Sequence, residues 1–337
     1  MLRCGKCLFG QSAQPAIAST RKSAHSTRDL HPPDATLIFD SAFLSKLEQL
    51  HLLSKKQHQG SNRAERKSRQ IGSSLEFADY RNYAPGDDLR SVDWNIYGRL
   101  DRLFVKLFEQ EQDLHISFLV DASPSMRWRP DRHGPSDVSR QTKLDQARRI
   151  AASLAYVGLA NLDRVNIHYF GATLDRDLGL SRGRSQFHKV LEFLRRAPDL
   201  EGSTQLLQSF RAFAQRMKRR GLVFVLSDLF DPAGAEEALA LLRYHQFEVH
   251  VIHVLDPAEL APDSLGDLRL TETETGTAID VTASEGLLQR YQREIQRFLD
   301  GISATCRERG IGYARASTEA PFEDLVLSAL RNGRILL

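Results

Sequence analysis

From residue 113 onward, short apolar runs rich in branched and aromatic side chains alternate with longer stretches whose apolar residues recur every three or four positions. The first pattern reads as buried strands and the second as amphipathic helices. In order, it predicts a strand over His115–Val120, a helix over Thr142–Ala160 and a strand over Val165–Phe170. Helices near Ser185–Arg196 and Gln205–Met217 follow, then a strand over Leu222–Leu226, a helix over Ala235–Tyr244 and a strand over Glu248–Leu255. Repeated strand–helix units build a doubly wound, mostly parallel α/β sheet with helices on both faces. Leu268–Thr282 alternates around a Thr-Gly pair and reads as a hairpin. A long helix over about Glu285–Arg309 and a strand over Gly312–Ala316 come next. The last helix opens at Pro321, where the missing N–H of proline costs little.

Ahead of this region the pattern is less regular. Ser41–Leu53 places Leu44, Leu47 and Leu50 at three-residue steps, an amphipathic helix opened by Asp40 or Ser41. A basic stretch follows, with Lys55, Lys56, Arg63, Arg66, Lys67 and Arg69 against Glu65. Leu103–Gln112 alternates imperfectly and reads as a strand lying alongside the core sheet. These boundaries divide the chain into a basic tail over 1–35, expected to be disordered, an N-terminal segment over 36–112, and an α/β domain over 113–337.

The chemistry concentrates where strands end. In Leu119-Val-Asp-Ala-Ser-Pro-Ser125, an apolar strand delivers Asp121, Ser123 and Ser125 to one point, and strand ends are where open α/β sheets bind ligands. One carboxylate and two hydroxyls are ligands for a hard cation, but Mg²⁺ takes six oxygens at about 2.1 Å, so partners must come from elsewhere or from water. Two later loops offer them: Gly202-Ser-Thr204, ahead of an apolar helix, and Ser227-Asp228, again at the end of an apolar strand. The same residue types cap helices and end strands as ordinary turn residues. Three such loops in this order favour a metal site.

Asp-x-Ser-x-Ser, a Thr about eighty residues on and an Asp after a hydrophobic strand resemble the metal-ion-dependent adhesion site of von Willebrand factor A domains. By motif position Asp121, Ser123 and Ser125 match the first loop, Thr204 the second and Asp228 the third. The resemblance implies a von Willebrand A, Rossmann-like fold and a role in binding, with a divalent cation, Mg²⁺ before Mn²⁺ or Ca²⁺. Hydroxyl and water ligands would leave the cation electrophilic enough to take an acidic side chain from a partner.

A second signature lies upstream, where Tyr83-Ala-Pro-Gly-Asp-Asp-Leu-Arg-Ser-Val-Asp-Trp94 leads into Asn95-Ile-Tyr-Gly-Arg99. It resembles the bacterial domain-of-unknown-function family fifty-eight, in which this segment directly precedes a von Willebrand A-type domain. Such proteins are commonly encoded beside MoxR-type AAA+ ATPases, so the resemblance implies such an ATPase or its client protein as partner, in protein maturation or remodelling. Pro85-Gly86 signals a turn, and Asp87, Asp88, Arg90 and Asp93 crowd both charge signs beside Trp94. This cluster reads as a rigid turn pinned by Arg90 between carboxylates, with Trp94 and Tyr97 packed on the core. The alternative is a partner surface made of the same residues. Trp128, in a breaker-rich loop just after the metal loop, is a further candidate partner contact.

Composition excludes several classes. No run approaches the about 18 apolar residues of a membrane span. The net charge of +3 is placed unevenly, with +4 in residues 1–30 and −1 over the rest. That tail has no apolar core of a secretory signal; it vaguely resembles a transit peptide or an over-extended start. Three cysteines, Cys4, Cys7 and Cys306, suit a reducing compartment, so a cytoplasmic protein is expected. No phosphate-cradling, zinc-peptidase or serine-hydrolase motif occurs, so no enzyme is read. His245, His250 and His253 do not gather into a ligand set, because 250 and 253 fall on opposite faces of one strand. Two alternatives stay open. One is a Mg²⁺-dependent phosphohydrolase with Asp121 as nucleophile, which lacks an Asp two residues on. The other is nucleic-acid binding by 55–69, which no interleaved aromatics support, so no nucleic acid is expected as partner.

Overall fold

Apolar runs and amphipathic stretches fold in the alternation that their sequence dictates. The computed structural model describes residues 7–9, 39, 41–48, 76–109, 114–128, 141–200, 202–231, 233–262, 265–273 and 277–332. The basic stretch 55–69 and residues 129–140 lie outside this set, as do Cys4 and most of the basic tail. The chain divides into two units, one of residues 1–52 and 114–335 and one centred on 53–113. The expected segment 36–112 is thereby split, its first helix going with the larger unit.

The larger unit begins with β1 (Cys7–Phe9) and a helix α1 over residues 41–48. In α1 the buried residues are Phe43 and Leu47, with Phe39 just ahead, while Leu44 is 41% exposed. The apolar stripe therefore steps by four through Phe39, Phe43 and Leu47, as one face of a helix requires, and not through Leu44 as the leucine spacing suggested; Leu50 lies outside the described residues. Phe43 packs on Phe322 with ring centroids 4.8 Å apart.

The smaller unit holds β2 (Glu76–Asn82), α2 (Trp94–Leu100) and β3 (Phe104–Glu109). β3 pairs antiparallel with β2 and not with the core sheet, contrary to expectation. β2 gives β3 its antiparallel partner, while β4 (His115–Asp121) pairs with strands of the larger unit on both sides.

The remaining elements of the larger unit follow in chain order. They are α3 (Lys143–Ala160), β5 (Arg164–Phe170), β6 (Leu174–Arg182), α4 (Phe187–Arg195), α5 (Leu206–Arg216), β7 (Leu222–Ser227), α6 (Glu236–Tyr244), β8 (Glu248–Leu255), α7 (Pro257–Leu260), β9 (Gly266–Glu272), β10 (Ala278–Ala283), α8 (Glu285–Glu308), β11 (Gly312–Ser317) and α9 (Phe322–Asn332). Six strands form the central sheet in the order β11-β8-β7-β4-β5-β6, parallel except for β6. β6 escaped the sequence reading because Asp175, Arg176 and Asp177 interrupt its apolar residues, as an edge strand with one wet face allows. The predicted hairpin is present as β9–β10, with β1 added to it.

Successive residues of the central strands alternate between the two faces. Leu119, Val223, Val225 and Val251 join Phe210, Phe213 and Leu239 in one core. Phe118 stacks on Phe224 at 5.2 Å. From β4 the chain proceeds outward through β5 and β6, then returns to lay β7 on the other side of β4. The strand order thus reverses between β4 and β7, and a crevice opens at the carboxyl ends of such neighbours. Asp121 ends β4, and Asp228 directly follows β7.

Candidate metal centre

The first loop is built on Asp121, which is fully buried. Its Oδ1 accepts the N–H of Ser123 at 2.9 Å, which turns the chain tightly, and its Oδ2 accepts the hydroxyl of Ser227 at 2.6 Å. The Ser123 and Ser125 hydroxyls lie 3.0 Å apart. Ser125 helps to hold the Asp228 carboxyl low, and the Ser227 hydroxyl on Asp121 ties the third loop to the first. Asp228 also accepts the N–H of Phe230 at 3.1 Å. Leu229 between them has φ +56°, a left-handed turn that a leucine adopts only where surrounding bonds enforce it. One such bond is its N–H to Ser227 Oγ at 2.9 Å.

Thr204, also buried, sits in the second loop. The Gln205 N–H binds Gly171 O at 3.1 Å and the Leu206 N–H binds Asp231 Oδ2 at 2.7 Å, tying this loop to the end of β5 and to the third loop. The structure therefore joins Asp121, Ser123 and Ser125 directly, brings Asp228 to them through its neighbour Ser227, and sets Thr204 in a loop anchored to its neighbours. The site lies deeper than a surface loop, with all five residues buried.

Sequence reading missed three members. Ser227 is the donor to Asp121. Lys143, wholly buried at the first position of α3, bonds Asp228 Oδ2 at 2.8 Å and also Glu259 Oε1. Glu259 reaches back to the Asp256 N–H at 3.2 Å in a capping box on α7. A lysine at a helix N-terminus opposes the helix dipole, and here two carboxylates from other elements hold it. His253, set aside as an ordinary histidine, is buried, with Nε2 2.9 Å from Asp228 O and Nδ1 2.9 Å from the Tyr313 hydroxyl. Burial pushes it down to about 4, so it stays neutral.

The two aspartates are driven apart. Burial, and then the neighbouring Asp228 charge, push Asp121 up to about 7. Burial would raise Asp228 as well, but Lys143 overrides it and holds that carboxyl below the ordinary range. Glu259 is raised by burial against the pull of Lys143. Among the described residues no three His, Cys, Asp or Glu side chains converge as a metal cage. The donors are carboxylates and hydroxyls, which suit Mg²⁺ and not a softer ion. The set fits a divalent cation on charge as well: Asp121, Asp228 and Glu259 against Lys143 leave two negative charges when ionised.

The Pro-Gly-Asp-Asp signature has a different use. Asp87 accepts the Ala84 N–H and the Arg81 guanidinium, both at 2.8 Å. Asp88 caps a short 3₁₀ turn through the Arg90 N–H at 2.9 Å. Asp93 caps α2 through Asn95 N–H at 2.9 Å and takes Tyr80 Oη at 3.0 Å and Lys106 Nζ at 3.1 Å. The internal pairing expected of this cluster is present, but through Arg81 and Lys106 and not Arg90. Trp94 and Tyr97 do not pack on the core; they touch edge to face at 6.1 Å and stay exposed. Trp128 is half-buried just beyond the metal loop, its N–H on Ser125 O at 3.3 Å.

An uncharacterized protein of Mycobacterium tuberculosis is 23% identical over 290 residues, 83% of this chain and 87% of the relative. One of Mycobacterium avium is 26% identical over 105 residues, 31% of this chain and 62% of the relative. Among solved structures, an aerotolerance-related membrane protein from Bacteroides fragilis is 15% identical, with 66% of this chain and 99% of that chain covered and a TM-score of 0.41. An uncharacterized membrane spanning protein from Vibrio fischeri is 16% identical, with 65% and 97% covered and a TM-score of 0.22. The cytoplasmic placement expected from composition is withdrawn, since these structural neighbours are described as membrane proteins. Among the described residues no helix is long and apolar enough to cross a membrane. The DUF58 profile, described as a protein of unknown function, matches residues 79–298, and the chain belongs to the DUF58 family.

Proposed function

We propose that this protein is a metal-dependent interaction module of von Willebrand A type, with a divalent cation held at Asp121, Ser123, Ser125 and Thr204 and with Asp228 behind them. The observation that carries this reading is the buried cluster at the strand-order reversal, in which Ser227 holds Asp121, Asp121 holds the Ser123 N–H, the Ser123 and Ser125 hydroxyls meet, and Asp228 follows Ser227. A buried centre with two uncompensated negative charges is costly, and a divalent cation offsets that cost. Mg²⁺ is the first choice and Mn²⁺ or Ca²⁺ the next. The cation would supply an electrophilic position for an incoming carboxylate; the chain's own residues fix its depth, its charge and the direction of the hydroxyl lone pairs.

The family resemblance supplies the partner class, a MoxR-type AAA+ ATPase or its client. Hydrolysis of phosphate esters by Asp121 is disfavoured by Ser123 at the position of the acid/base and by the two donors already on the carboxylate. Calorimetric titration of EDTA-treated protein with Mg²⁺ tests the metal. One saturable site, lost in Asp121→Asn, supports the reading, and no saturable binding refutes it. Binding of the purified ATPase in Mg²⁺ and not in EDTA tests the partner.

A further inference from the structure

Lys143 does two unfavourable things. It opens α3, where the helix dipole repels a cation, and its ammonium is fully buried. The helix does not need it, because the capping box of Thr142 and Asp145 already closes that N-terminus. The ammonium is held by two carboxylates from other elements, Asp228 at 2.8 Å and Glu259, with the Phe230 ring centroid 5.4 Å away. Glu259 is fixed by the Asp256 N–H, and Asp256 by the Thr318 hydroxyl at 2.8 Å. Asp256 also takes the Ala258 N–H at the start of α7. Two carboxylates and a ring make a complete seat for a monovalent cation, and the chain fills it from its own first helix.

We propose that Lys143 is a built-in cation that cancels one carboxylate charge of the centre and so biases it toward a divalent over a trivalent ion. The inference rests on the metal reading of Asp121 and its neighbours. It adds that Lys143 and Glu259 decide which ionic charge the site prefers, with no contact to the ion. Removing the ammonium leaves three buried carboxylates and shifts preference toward a trivalent ion. Neutralising Glu259 instead removes one negative charge and weakens binding of every divalent ion.

Terbium luminescence with competing Mg²⁺, and thermal melts in each ion, test this on the full chain, with Asp121→Asn as the background for surface binding. In Lys143→Met the ratio of Tb³⁺ to Mg²⁺ affinity rises on the order of tenfold or more, and in Lys143→Met/Glu259→Gln it returns to the wild-type ratio. In Glu259→Gln, which keeps the bond from Lys143 to Asp228, Mg²⁺ affinity falls on the order of tenfold. This last variant carries the test if Lys143→Met fails to fold. A folded Lys143→Met with the wild-type ratio, a double variant that stays shifted, or an unchanged Glu259→Gln would overturn the proposal. If the wild type itself shows no cation response beyond that of Asp121→Asn, the metal reading falls, and this inference with it.

Discussion

The Ser227 hydroxyl donates to Asp121 Oδ2 at 2.6 Å, across the two strands between which the sheet order reverses. The same oxygen accepts the Leu229 N–H, so the serine holds the third loop in its turn while it holds the carboxylate of the first. Ser227→Ala removes a bond to a charged acceptor and is expected to weaken Mg²⁺ binding roughly tenfold. Calorimetric titration checks this; unchanged affinity would show that Asp121 needs no orienting donor.

Asp93 supports the smaller unit in the way Ser227 supports the site. It caps α2, accepts from Tyr80 and pairs with Lys106. Asp93→Ala is expected to destabilise α2 through the lost cap. Faster hydrogen exchange at the amides of Asn95 and Ile96 is the readout. Because those bonds are structural, Mg²⁺ binding at Asp121 should be unaffected by the change.

Much of the fold was legible in the sequence because both periodicities are clean in this chain. The strand ending at Ser227 is an apolar run, the one ending at Asp121 is broken only by Ser117, and the helix over 285–308 holds its stripe. The edge strand β6 was lost because its alternating Asp and Arg residues look like a loop until β5 is there to pair with it. In the candidate site, the residues found were those on one local motif each. Lys143 and Glu259 lie 116 residues apart and meet only through tertiary packing, so no local spacing announces them.

Packing at the start of β7 gives a test of that tertiary fit. A Cβ on Gly221 would stand 2.3 Å from the carbonyl oxygen of His115, the first residue of β4. Gly221→Ala must therefore push β7 away from β4 and is expected to cost about 1–3 kcal/mol. Urea denaturation reads this; an unshifted midpoint would mean that the strands separate freely at that end.

His168 makes stability depend on pH. It is buried in β5, with Nε2 2.8 Å from Asn166 Nδ2, and burial pushes it down to about 4. Its unfolded value near 6.5 is higher, so the unfolded chain binds more protons between the two values. Stability is intact above about pH 6.5 and is lost as pH falls toward 4, by up to about 3 kcal/mol. His168→Gln should remove this part of the acid slope in denaturation curves taken at successive pH values. An equal slope in the variant would place the titration elsewhere.

Asp121 is a buried carboxylate that burial and the neighbouring Asp228 charge raise to about 7. A raised carboxyl contributes stability below its unfolded value and loses it as pH rises through the folded one, so at pH 8 the cation-free protein carries the full cost of that charge. The most direct measurement is the melting midpoint of wild type and Asp121→Asn at pH 8, in EDTA and in Mg²⁺. A metal site at Asp121 predicts that the variant melts at or above the wild type in EDTA, and that Mg²⁺ raises the wild type past it while leaving the variant unmoved. A wild-type midpoint that ignores Mg²⁺, or an equal rise in both proteins, would contradict it.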